Sequence, residues 1–301
     1  MKNNNKISIS VVIPAKNREL TLIACLDSVL AQSLQVNEVI VVDDHSTDRT
    51  KKLINHHPDP RVKYLSLPAH SFGAQAARNY GIQMSTSSWI AFQDSDDVWV
   101  QNKLEQQVAV LEALNFDEMV VVHGNCIKQD VESKHEILIE PPLMVGNCYK
   151  ELLIRPSPLF PSILASKRAL IAIGGLDDQC PAYQEWDTSI RLSKVCNFIH
   201  LRTPLFYWKV HKIDSISKSK SKDIFGFNYV IEAHKDEIIF IHGIRAWRSL
   251  KIANALRALK YGLWNEAKAS LVGVGKMPST LLIQLLASIK FYPRGIGRFF
   301  L

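Results

Sequence analysis

Three apolar runs, each cut off by polar residues, constrain this chain most. Ile7 to Ile13 ends at Pro14-Ala-Lys-Asn17, Val39 to Val42 at Asp43-Asp44, and Trp89 to Phe92 at Gln93-Asp-Ser-Asp-Asp97. Short apolar runs of this kind read as strands buried on both faces. Between the first two, Leu20, Ile23, Ala24, Leu26, Val29 and Leu30 recur at helical spacing, and a second helix through Leu53 and Ile54 precedes a strand at Val62 to Leu65. Strand alternating with helix predicts an α/β fold around an open, mostly parallel sheet. The carboxyl ends of such strands share one edge, and that edge binds ligands. Pro14 lacks a ladder donor, so the first strand is expected to stop there.

Further along, small residues from Gly73 to Gly81 predict a helix able to approach a neighbour closely. A helix is expected from about Asn102 to Leu114 and strands at Met119 to Val122, Ile137 to Ile139 and Ser162 to Ala165. A helix from Gln184 to Lys194 and a strand at Phe198 to Leu201 follow. Ser215 to Lys222 alternates Ser with Lys and reads as a mobile basic loop. It separates a domain at 1–214 from a helical region at 223–301, with helices at Arg245 to Tyr261, Trp264 to Val272 and about Ser279 to Phe291.

Charge is uneven along the chain. Of 36 basic and 29 acidic residues, the stretch Ile241 to Leu301 holds ten basic and one acidic, leaving 26 and 28 for the rest. A basic tail on a near-neutral body argues against nucleic acid as the partner and for an anionic surface. The tail's apolar residues, including Trp247, Leu250, Ile252, Leu256, Leu263 and Trp264, fit either packing within the protein or adsorption to an anionic membrane. Five scattered cysteines suggest reduced thiols. With no apolar signal region at the amino terminus and no run of membrane-spanning length, a cytoplasmic protein is expected, peripheral at the inner face of the cell membrane if the tail adsorbs.

Asp94, Asp96 and Asp97 crowd into four positions at a strand end. Carboxylates so close repel unless solvated, hydrogen-bonded or gathered around a cation, and Asp-x-Asp offers hard oxygen ligands. The alternative is an acidic turn, with Asp97 capping the following helix.

Val11-Val-Ile-Pro-Ala-Lys-Asn17, Val41-Val-Asp-Asp-His-Ser-Thr-Asp48, Ala77-Arg-Asn-Tyr-Gly81, Phe92-Gln-Asp-Ser-Asp-Asp97, Gly174-Gly-Leu-Asp177 and Gln184-Glu-Trp-Asp-Thr-Ser-Ile-Arg-Leu192 resemble, in order, the motifs of family 2 glycosyltransferases. These are inverting enzymes of the GT-A fold that use nucleotide-diphosphate sugars. The resemblance runs from about Ile9 to Ser217 and implies a hexosyl- or N-acetylhexosaminyl-transferase with these roles. Pro14 helps wall the base pocket, and Asp44 or its neighbour Asp43 accepts a hydrogen bond from the base. Arg78 approaches the base or diphosphate; a structural pair with Asp43 is its alternative. Asp94 holds the ribose, Asp96 ligates Mg²⁺ or Mn²⁺, and His211 meets the metal or the diphosphate.

The family commonly places Glu-Asp before this last helix and uses the Asp as base; here Gln184-Glu185 puts Glu185 in that position. A UDP-sugar donor, a saccharide or lipid-linked acceptor, and bacterial surface polysaccharide or lipopolysaccharide synthesis follow from the resemblance. A sugar nucleotidyltransferase is the alternative, though it ordinarily carries a Gly-rich loop that Pro14 to Arg18 lacks. A non-catalytic nucleotide-sugar-binding protein is favoured only by the Gln184-Glu185 departure.

Overall fold

The computed structural model describes residues 7–211 and 219–290. β1 (Ile9–Ala15), α1 (Leu22–Leu30), β2 (Glu38–Asp43), α2 (Thr50–Asn55), β3 (Val62–Ser66), α3 (Ala74–Met84) and β4 (Trp89–Phe92) follow the predicted alternation. β1 runs parallel to both β2 and β4, and β3 runs parallel to β2.

The first strand does not stop at Pro14. It pairs with β2 through Ala15, opposite Asp43. Ile9 and Ala15 accept hydrogen bonds on the β2 side, whereas Val12 accepts from Gln93 on the β4 side. Residues alternate sides along a strand, so the Pro14 nitrogen points toward β4, where pairing has already ended at Val12. The missing donor therefore breaks no ladder bond. α3 lies close on this strand, as its small residues suggested: a Cβ on Gly81 would sit 2.5 Å from Val12 Cγ1.

After β5 (Val98–Trp99), α4 (Lys103–Ala113) and β6 (Val120–Asp130) come β7 (Glu136–Ile139), α5 (Tyr149–Leu152), β8 (Leu164–Ser166), α6 (Lys167–Ala172), α7 (Gln184–Ser193) and β9 (Asn197–Val210). The described strands form one sheet in the order β3-β2-β1-β4-β8-β6-β9-β5, with β7 on β6. β9 is far longer than the run Phe198 to Leu201 suggested. Pro204 is accommodated opposite Asn125, where register shifts mark a bulge, and pairing with β6 then resumes. β2 opens on a buried carboxylate, Glu38, which accepts from Ser10 Oγ at 2.5 Å, Thr86 N at 2.7 Å and Lys63 Nζ.

Two compact units divide the chain. One contains Met1–Leu152, Ser157–Asp178 and Thr188–Lys212 and holds the sheet; the other contains Leu153–Pro156, Gln179–Asp187 and Ile213–Leu301. The second unit carries α8 (Lys220–Ala233), α9 (Lys235–Lys260), α10 (Trp264–Ser270) and α11 (Pro278–Ser288). The basic loop expected at 215–222 lies partly outside the described residues. Its end is helical, because Ser219 Oγ accepts from Lys222 N at 3.3 Å and caps α8. α9 is broken at Gly243, whose φ of +80° places it in the left-handed region. Beyond the break, Trp247, Ala255, Ala258 and Leu259 are buried, and the helix packs on α8 and α10. Among the described residues no helix is long and apolar enough to cross a membrane.

Candidate active site

The carboxyl ends of β1, β2 and β4 place their polar residues along one edge of the sheet. Two loops are stitched together there: Asn17, at a φ of +52°, takes Thr47 N on its Oδ1 at 2.8 Å and donates its own N to Ser46 Oγ at 2.8 Å. Pro14 is buried beside them in β1.

Asp43 and Asp44 share a strand end but not a role. Asp43 is committed to the local structure, accepting from Ser46 N at 3.1 Å on one oxygen and from Tyr64 Oη at 3.0 Å on the other. Asp44 binds Gly73 N at 3.1 Å and Lys16 Nζ at 3.3 Å through Oδ2 alone. Its Oδ1 is buried without a hydrogen-bond partner among the described residues. Such an acceptor is costly to leave empty, which makes it a site for an incoming donor group.

Arg78, set by α3, is buried and donates to Asp94 Oδ1 at 2.5 Å and to Gln75 Oε1 at 2.9 Å. Its guanidinium carbon lies 4.3 Å from the centre of the Phe160 ring. The structure thus pairs Arg78 with Asp94, not with Asp43.

Asp96 faces Arg18, whose Nη2 is 3.6 Å from its Oδ2; Arg18 also reaches Ser95 Oγ at 3.3 Å. Burial, then the charge of Asp94, raise the Asp96 carboxyl above its ordinary range against the opposing charges of Arg18 and His211. His211 Nε2 is a second buried polar atom with no partner among the described residues. The loop's third acid is not a helix cap. Asp97 accepts Lys209 N at 2.9 Å and donates its own N to Asp94 O at 3.0 Å, while Asn102 occupies the N-cap of α4. Burial and the charges of Asp94 and Asp96 push the Asp97 carboxyl well up. The same cluster touches Cys25, whose Sγ donates to Asp94 O at 3.5 Å.

Three carboxylates crowded together, Asp97 buried and Asp94 and Asp96 half-buried, are what a divalent cation would relieve. Asp96 supplies the hard oxygen donor that fits Mg²⁺ or Mn²⁺, whereas the imidazole of His211 is a softer donor. Among the described residues no three His, Cys, Asp or Glu side chains converge on a cation position.

Glu185 lies in the second unit, in the first turn of α7. Its segment is firmly held there. Trp186 is buried against Phe227, ring centres 5.1 Å apart, and Tyr183 Oη donates to Asp223 Oδ1 at 2.7 Å and accepts from Arg257 Nη1 at 2.9 Å. Asp187 Oδ1 lies 3.0 Å from His234 Nε2, whose Nδ1 lies 2.9 Å from Glu237 Oε2. α8 presses close: a Cβ on Gly226 would fall 2.5 Å from Ala182 Cβ. Arg18, Gln75, Phe160 and Lys209 went unnoticed in the sequence. Only Arg18 had a signal, its place beside the first polar strand end.

A computed family model described as glycosyl transferase family 2 matches residues 10–162. The chain is 37% identical over 117 residues to WfgD of Escherichia coli, a UDP-Glc:α-D-GlcNAc-diphosphoundecaprenol β-1,3-glucosyltransferase, covering 39% of this chain and 45% of WfgD. It is 29% identical over 233 residues to the amylovoran biosynthesis glycosyltransferase AmsB of Erwinia amylovora, covering 71% of this chain and 74% of AmsB. The chain thus spans less than half the length of WfgD. The mannosyltransferase PcManGT from Pyrobaculum calidifontis, solved with GDP-Man and Mn²⁺, superposes with a TM-score of 0.63 at 19% identity, covering 94% of this chain and 80% of that one. This likeness bears out the expected GT-A-type sheet flanked by helices. With the family model spanning just over half of its 301 residues, the chain belongs to glycosyl transferase family 2.

Proposed function

We propose that the protein moves a sugar from a nucleoside diphosphate sugar to an acceptor hydroxyl with inversion at the anomeric carbon. The observation that carries this reading is the sheet edge, where the ends of β1, β2 and β4 gather Asp44, whose Oδ1 has no hydrogen-bond partner among the described residues, and the Arg78–Asp94 pair. Asp44 receives an N–H of the base against the wall made by Pro14, with Asp43 holding the turn. Asp94, steadied by Arg78, receives the ribose hydroxyls, and Arg78 adds positive charge near the diphosphate. Asp96 and His211 would hold Mg²⁺ or Mn²⁺. When bound, the cation neutralises charge on the departing diphosphate.

Glu185 takes the proton of the acceptor hydroxyl as its oxygen bonds to the anomeric carbon and the bond to the diphosphate oxygen breaks. A single displacement of this kind inverts the centre. The donor named in WfgD supports a UDP-sugar and its diphosphoundecaprenol substrate a lipid-linked acceptor, while the amylovoran biosynthesis named for AmsB supports a place in surface polysaccharide or lipopolysaccharide synthesis. A non-catalytic sugar-nucleotide binder is the second reading, favoured by Gln184-Glu185 in place of the commoner pair.

The test is nucleoside diphosphate release from a panel of nucleotide sugars with a GlcNAc-diphospholipid acceptor, with and without Mn²⁺. Metal-dependent release with one donor supports transfer. Binding without turnover gives the second reading, and pyrophosphate release from a nucleoside triphosphate gives a nucleotidyltransferase.

A further inference from the structure

The membrane-adsorbing residues expected in the tail fell on α9 and its neighbour α10, where Trp247 is buried and the other five apolar residues are half-buried. α11 is different. Its eleven residues carry no charge. Thr280, Ile283, Leu286 and Ala287 are buried, and the helix packs on α9 and α10. The remaining apolar residues face outward: Leu281 is 50% exposed, Leu282 42%, Leu285 57% and Ile289, at the helix end, 59%. At about 100° per residue these four fall within one arc of about 100°, so they form a single stripe. Helices of soluble domains normally turn charged or polar residues to water. Here a second apolar face takes that place.

The surroundings of the stripe indicate what covers it. Exposed Lys276 precedes the helix and exposed Lys290 follows it. From Gly243 to Lys290 the chain carries eight basic residues against the single acid Glu266, and of these Lys251 and Arg257 are paired with Glu232 and Asp223. An apolar stripe bracketed along the chain by two exposed lysines matches a surface that is apolar inside and anionic at its boundary. We propose that the outer face of α11, Leu281, Leu282, Leu285 and Ile289, seats this protein on anionic phospholipid, with Lys276 and Lys290 meeting the headgroups. This inference goes beyond sugar transfer, and the membrane measurement needs no donor or acceptor.

Sedimentation with vesicles tests it. The full chain should pellet with phosphatidylglycerol mixed into phosphatidylcholine, and not with phosphatidylcholine alone. Leu281→Ser combined with Leu285→Ser should lower the vesicle partition coefficient by about tenfold or more. Because both residues are exposed, the variant should keep the wild-type melting transition and its nucleoside diphosphate release on a detergent-soluble acceptor. Failure of the wild type to pellet with anionic vesicles, or equal pelleting of the double variant, overturns the proposal. A concentration-dependent dimer in the absence of lipid, lost in the double variant, would assign the stripe to a second copy instead. If vesicle binding holds while no donor is turned over, only the glycosyltransferase reading falls.

Discussion

Arg78 Nη2 meets Asp94 Oδ1 at 2.5 Å from a side chain that is only 5% exposed. Removing the arginine leaves Asp94 and Gln75 without this donor, and Phe160 without its stacked cation. Arg78→Ala should cost about 2 kcal/mol of stability, read as a lower urea midpoint. Arg78→Lys keeps a charge but not the two-armed geometry. It should fold nearly as well and still raise the donor KM; an unchanged KM would assign the pair to structure alone.

Asp44→Asn keeps one oxygen for Gly73 and changes what the open position can accept. Donor affinity should drop by about 10- to 100-fold, measured by calorimetry with the matching nucleoside diphosphate. Asp43→Asn should instead act through Tyr64 and Ser46, lowering the melting temperature more than the affinity.

Glu185→Gln is expected to lower kcat by about 10²- to 10⁴-fold while leaving donor binding intact. Equal rates in both proteins would remove Glu185 from the reaction. Loss of donor binding as well would show that its part is structural.

Glu38 supplies an acid-stability test away from the site. Burial alone would raise its carboxyl, but hydrogen bonds from Lys63, Ser10 and Thr86 outweigh that and bring it from 4.5 down to about 2. A depressed folded value means the stabilisation is complete above about 4.5 and is lost as pH falls through about 2. Glu38→Gln should be less stable by about 1–3 kcal/mol at neutral pH. Its melting temperature should also decline less across that acid window than the wild type's; parallel declines would contradict the assignment.

The parallel half of the sheet was legible because its strands are continuous apolar runs with abrupt polar ends, and those ends also carry the candidate site. β9 was only partly legible, since Arg202, Thr203 and Pro204 interrupt its pattern and the bulge that absorbs them is a property of the pairing with β6. The start of α8 was hidden for another reason: Ser219 looks like loop composition until its hydroxyl is seen capping a helix. Within the site, residue types were readable but their partners were not. Arg18 and Ser95 are 77 positions apart and are joined only by folding. Asp97 misled because a cap and a strand anchor need the same side chain, and only Lys209, 112 residues later, distinguishes them.

The central position of β1 between β2 and β4 has a metric consequence. Asp44 leaves one neighbour and Asp94 the other, two interstrand spacings apart, or about 10 Å between strand axes. That interval belongs to the backbone lattice, so replacing side chains cannot rescale it. A molecule bridging the two acids must match a fixed gauge, and selectivity among molecules of that length is left to the loops.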